Sequence, residues 1–184
     1  MRLLIITLLS LSLTSSVFAF GKKPPKNRLT FHMQGQASDG PKMVFPQRIP
    51  QLEGKQLFFK KSPLTFTKEI IAFLPSFAED GTARATFQFR PETARRIAAI
   101  TNQNRQKWLA ARLNGRFVGA VFIENPVTDG KLSIWQGMKQ AEIVSFDYII
   151  PRIGESGKEW KERLENHKKA RAAEIKARKE KQRK

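Results

Sequence analysis

The sequence predicts an α+β fold: a mostly antiparallel sheet with helices packed on one face, followed by a charged C-terminal helix. Three observations carry this reading. Ala83, Ala85, Phe87 and Phe89 alternate with Arg84, Thr86 and Gln88, the period of a half-buried strand. Pro91-Glu92 opens a run in which Ala94, Ile97, Ala98 and Thr101 fall at helical spacing; proline suits the first helical position and the acid complements the dipole there. Asn114-Gly115 joins two β-rich runs, 108–113 and 116–123, and this pair supplies the positive φ that a two-residue hairpin turn needs.

The elements follow in chain order. Met1-Arg2, the apolar run 3–13 and Val17-Phe18-Ala19 read as a secretory signal peptide with cleavage between Ala19 and Phe20. The apolar run is too short for a comfortable membrane span. Residues 20–28, basic and proline-containing, form a flexible lead-in. Residues 29–153 are expected to form a single domain. Residues 29–33 alternate as its first strand, with His32 on the polar side. Residues 34–51, rich in Gly, Asp, Ser and Pro, read as an irregular loop. Residues 55–60 form a second strand around Leu57-Phe58-Phe59. Thr67 caps a short helix whose buried side is Ile70, Ile71, Phe73 and Leu74, stopped by Pro75.

The central strand and helix come next, and Asn102 to Asn104 end that helix. The second hairpin arm, 116–123, is apolar on both faces and belongs in the middle of a sheet. Asp129-Gly130 turns into a short strand at 131–135. A last helix spans 137–149, with Met138, Ala141, Val144 and Tyr148 along one side and Ile143 and Phe146 widening the stripe. The predicted order is β-β-α-β-α-β-β-β-α.

Residues 154–184 differ in kind. They are dense in Lys, Arg, Glu and Ala, with acid-before-base pairs at Glu159–Arg163, Glu165–Lys169, Glu174–Arg178 and Glu180–Lys184. Each pair adds roughly 0.2–0.5 kcal/mol to a helix. Trp160 and Leu164 are expected to fasten its first turns to the domain. The whole chain has 184 residues, 34 Lys and Arg against 16 acids, a formal charge of +18 and no cysteine. Without thiols there is no disulfide and no lipoprotein acyl anchor. The expected product is exported to the periplasm or secreted, and its charge attracts polyanions.

The central motifs also resemble a known family. Pro91-Glu92-Thr93-Ala94, Ile100-Thr101, Asn104, Leu109-Ala110, Leu113-Asn114-Gly115, Ala120, Ile123 and Asp129-Gly130 are similar to the periplasmic head subdomain of the SecD protein-export subunit. The resemblance spans roughly residues 64–150. Gln106 stands where that family usually has Gly, and Val121 where it usually has Pro. The sequence shows no transmembrane bundle. The resemblance therefore implies the head's fold and binding of extended polypeptide, not a proton-driven translocase.

No catalytic constellation is legible. A nucleophilic triad needs a base beside the nucleophile, and only His32 and His167 are available; both read as solvated surface residues. The ligand spacing of a zinc site, the alternating acids of a calcium loop and a phosphate-cradling glycine loop are all missing. Glu79-Asp80-Gly81 reads as an acidic turn. No cofactor, metal or catalytic residue is expected. Two binding roles remain. An uncovered sheet face or edge strand would capture an extended polypeptide or another cell-envelope protein by strand addition. The cations Lys168, Lys169, Arg171, Lys176, Arg178, Lys179, Lys181, Arg183 and Lys184 crowd the tail and would bind an anionic membrane surface or polymer. Nucleic acid is not an expected partner, because no aromatics interleave with these charges.

Overall fold

The computed structural model describes residues 27–79 and 81–182. The expected signal peptide with its Ala19–Phe20 cleavage site, lead-in residues 20–26, Asp80, Arg183 and Lys184 lie outside the described residues.

The architecture is α+β, built on two antiparallel sheets. The larger contains β1 (Leu29–Gly35), β2 (Val44–Ile49), β3 (Lys55–Lys60), β4 (Thr65–Phe66), β7 (Trp108–Leu113) and β8 (Arg116–Phe122). Its strand order is β2-β3-β1-β7-β8, with β4 also paired to β1. The smaller contains β5 (Ile70–Phe77), β6 (Ala83–Phe89) and β9 (Lys131–Met138) in the order β5-β6-β9. Helices α1 (Pro91–Gln103) and α2 (Gln140–Asp147) complete the body, and α3 (Gly157–Gln182) is the tail.

One core holds these parts together. Leu29, Phe31 and Met33 of β1 pack with Leu109, Ala111 and Leu113 of β7, and with Phe73, Phe87, Phe89, Leu132 and Ile134 of the smaller sheet. Ile97 of α1 and Phe146 of α2 join them. The rings of Phe73, Phe87 and Phe146 form a triangle with centroids 5.0–6.2 Å apart. Phe31 meets Phe89 edge-on at 6.0 Å and so links the two sheets. Each fully buried aromatic of this kind contributes about 1.5–3 kcal/mol. A second cluster, built on Ile49, Phe59 and Ala110 with Phe45, Trp108 and Ala120, lies on the other face of the larger sheet. Phe45 and Ile49 of β2 and Leu57 and Phe59 of β3 belong to this cluster with Ala110 of β7 and Ala120 of β8.

The central stretch folds as its pattern predicts. β6 buries Ala83, Ala85, Phe87 and Phe89 and leaves the alternate residues half-exposed. Asn114 and Gly115 take φ 54° and 82° at the β7–β8 turn. Gln106, at the position where the resembled family carries glycine, adopts φ 61°.

Four expectations are corrected. Residues 67–74 are not a helix: Thr67–Glu69 make one 3-10 turn and β5 follows. Pro75 is tolerated because β5 is the outer strand of its sheet. The stretch 34–51 is not an irregular loop throughout, since it contains β2, whose Pro46 again sits on an edge strand. β9 runs on to Met138, so α2 starts only at Gln140 and exposes Val144 while burying Ile143 and Phe146. Finally, β8 ends the larger sheet rather than lying in its middle.

Candidate functional site

The position of β8 creates the main surface feature. β8 pairs with β7 and β9 pairs with β6, and among the described residues neither has a strand partner on its outer edge. The two outer edges approach each other across the gap between the sheets. They touch around Gly137, whose φ is 85°. A Cβ placed there would lie 2.4 Å from the Val118 carbonyl oxygen, so only glycine permits the contact. Beside that contact lies a cleft of about 360 Å³. Gly119 to Phe122 form one wall, Ser133 to Gln136 the other, and Gln51, Trp108 and Ala111 close it. Trp135 is 61% exposed at its mouth and Phe122 40%. The Trp108 ring lies against Phe122, with centroids 5.2 Å apart. None of the lining residues is acidic or basic. The arrangement offers main-chain hydrogen-bonding groups and aromatic surface.

The candidate histidines sit differently from their sequence reading. His32 is buried rather than solvated, at 6% exposure. Its Nδ1 lies 2.8 Å from the Lys60 carbonyl oxygen and its Nε2 2.9 Å from Thr30 Oγ1. Burial pushes its pKa down, the Lys60 carbonyl partly opposes this, and the nearby Arg112 lowers it further. Nδ1 thus ties β1 to the end of β3, while Nε2 is engaged within β1 itself. His167 is half-buried on α3, its ring 5.8 Å from that of Tyr148. Among the described residues no group of three or more His, Cys, Asp or Glu is placed to hold a metal ion.

The tail is fastened to the body. Arg163 donates to Glu155 through Nε and Nη2 at 2.7 and 2.8 Å, and through Nη1 to Asp147 Oδ1 at 2.8 Å. Arg152 donates to the same Asp147 at 2.9 and 3.1 Å. The Trp160 indole N–H donates to the Asp147 carbonyl at 3.4 Å. The paired side chains of Arg163, Glu155 and Asp147 are 17%, 12% and 7% exposed, so water screens them little. The Arg163 guanidinium, followed by the Arg152 backbone N–H, holds the Glu155 carboxyl down at about 2 against the partial opposition of its burial.

This network was only partly foreseeable. Trp160 docks as expected, but Arg163 pairs with Glu155 and Asp147 rather than with Glu159. Glu159 instead accepts from the Ser156 N–H at 2.7 Å and caps the helix, a Ser-x-x-Glu signal that was readable. Glu165 likewise pairs with Lys168, at 2.6 Å, rather than with Lys169.

Of the basic tail residues, Lys168, Lys169, Arg171 and Lys176 are exposed on α3. The side chains of Arg178, Lys179 and Lys181 lie outside the described residues, as do Arg183 and Lys184. Among the described residues no helix is long and apolar enough to cross a membrane.

The fold and its cleft define an α+β body with, among the described residues, an unpartnered strand edge on each of two sheets. No protein-family model and no curated protein matches the chain. Solved structures of SecDF do. One, described as a membrane component that enhances protein export, is 21% identical with a TM-score of 0.46, over 64% of this chain and 58% of that one. A second, SecDF in a super-membrane-facing form, is 22% identical with a TM-score of 0.43, over 63% of this chain and 17% of that one. A third, a translocon-associated SecDF from Thermus thermophilus, is 23% identical with a TM-score of 0.37, over 65% and 18%. The chain thus spans little more than half of the first and under a fifth of the other two.

Proposed function

We propose that this chain is an exported, non-enzymatic binding module that takes up extended polypeptide along the β8–β9 cleft. The observation that carries the reading is the pair of unpartnered strand edges facing each other across an aromatic-lined opening. A strand-like peptide laid against either edge gains main-chain hydrogen bonds, and its alternate side chains meet Trp135 and Phe122. Three features support it. The cleft walls carry no acid or base. The central motifs resemble the SecD head. The formal charge of +18 favours polypeptides with net negative charge. Export rests on the signal-peptide pattern ending at Ala19.

The test is site-specific photocrosslinking in intact cells, with the probe at Trp135 or Phe122 and a control probe at Leu74, which is exposed on the smaller sheet. Protein adducts at the cleft positions and few at Leu74 support the reading; equal yields or no protein adducts overturn it.

A second reading rests on the cations exposed on α3: the tail tethers the body to an anionic membrane surface or polymer, each cation near the surface adding about 1 kcal/mol. Removing residues 168–184 spares the Arg163 fastening. It should abolish salt-sensitive liposome binding if this reading holds, and unchanged binding rejects it.

A further inference from the structure

The outer edge of β1 is shared between two strands: β3 pairs at Gln34 and Gly35, and β4 at Thr30 and Phe31. Beside the junction lies a pocket of about 280 Å³, lined by Arg28, His32, Lys61 and Arg112 with Thr30 and Phe66. It concentrates cations from three parts of the chain. Arg28 precedes β1, Lys61 follows β3, and Arg112 comes from β7. None of the pocket's lining residues is acidic.

Arg112 is held in place before any ligand arrives. Its Nε donates to the Gly115 carbonyl at 3.1 Å, Nη2 donates to the same oxygen, and its guanidinium lies 4.7 Å from the Phe45 ring centre. That uses two of its five N–H groups. Among the described residues the others have no protein acceptor. A fixed planar fork with spare donors matches two oxygens of a tetrahedral oxyanion, while Lys61 and Arg28 act as point charges at the rim. His32 forms the floor. The charged groups that face it are Arg112 of β7, Arg28 and Lys61, with Phe45 of β2 and Phe66 of β4 as its apolar neighbours.

We propose that this pocket binds a phosphoryl oxyanion, either inorganic phosphate or the phosphate of an anionic lipid head group. Binding sets a negative charge against Arg112 and so favours protonation of His32, which makes that ring a reporter of occupancy.

The experiment follows the His32 ring by NMR in the full chain while inorganic phosphate is added at constant ionic strength. Expected are a saturable response and an upward shift of the His32 titration. Arg112→Met, which keeps an unbranched apolar stem but removes the guanidinium, should weaken binding about tenfold or more, as the loss of a hydrogen-bonded charge does. The double variant Arg28→Ser/Lys61→Ser alters exposed positions only and should weaken it several-fold. It decides the matter if Arg112→Met fails to fold. An unsaturable response, the same response to chloride, or unchanged affinity in every folded variant overturns the proposal.

Vesicles containing phosphatidylglycerol separate the two sources. If vesicle binding falls in Arg112→Met, the pocket takes the lipid phosphate. If it is unchanged while free phosphate still requires Arg112, the pocket takes inorganic phosphate.

Discussion

Gly137→Ala probes the contact between β8 and β9 beside the cleft. Two costs add. At φ 85° an alanine is strained, by about 1–2 kcal/mol. Its Cβ would also lie 2.4 Å from the Val118 carbonyl oxygen, 3.1 Å from the carbonyl carbon and 3.3 Å from Cα. These are backbone atoms of a strand paired to β7, so they cannot swing away as a side-chain tip could. Overpacking of this kind costs typically about 1–3 kcal/mol. The expected loss is therefore about 2–5 kcal/mol, a fall in Tm of order 10 °C at about 2–4 °C per kcal/mol for a chain of this size.

Gly154→Ala is the matched control. Its φ is 86°, yet nothing lies within 4 Å of the added Cβ, so it should cost the strain alone. Urea denaturation of both variants isolates the contact as their difference. Equal losses would refute the reasoning, because they would mean that β8 and β9 do not touch there.

Acid should release the tail. The Glu155 carboxyl is depressed from its ordinary 4.5 to about 2, so its contribution is complete above about 4.5 and is lost as the pH falls through 2. The indole N–H signal of Trp160 should move in that window, and a signal that stays fixed down to pH 2 would contradict the fastening. Arg163→Met should give the released signal at neutral pH and cost about 1–3 kcal/mol, since Glu155 loses its main partner. Thr101→Val tests the support beneath the loop before β9. The Thr101 hydroxyl donates to the Ile97 carbonyl at 2.7 Å and accepts from the Val127 N–H at 3.0 Å in a fully buried position. Orphaning that N–H should cost about 1–3 kcal/mol by chemical denaturation, and a loss below about 0.5 kcal/mol would show that the bond carries little.

The parts of the fold legible in the sequence are those where two local signals agree. Strand period and flanking turn chemistry coincide at β6 and at the β7–β8 hairpin, and a proline start coincides with helical spacing at α1. Where they conflicted, the reading failed. Ile70, Ile71, Phe73 and Leu74 fit a helix stripe as well as a strand, and Thr67 resembles a cap, so only pairing with β6 decides for a strand. Prolines 46 and 75 argued against strands, and the argument fails because both lie on sheet edges.

The candidate cleft was less legible than the fold. Phe122 and Trp135 fall within stretches read as strands, but nothing local says that β8 is an end strand or that β9 belongs to a different sheet. Those are facts of topology. The Asp147–Arg163 bond hides for a similar reason: it joins residues on two separate helices, and spacing rules see only one helix at a time.

The central claim is that extended polypeptide lies against the outer edges of β8 and β9. It is tested most directly by amide hydrogen exchange on the full chain, with and without an excess of an unfolded, acidic polypeptide. The account predicts new protection confined to β8 and β9, reduced when Trp135 is replaced by Asp. Protection that maps to α3 or the β2–β3 hairpin instead, or none at saturating polypeptide, would contradict it.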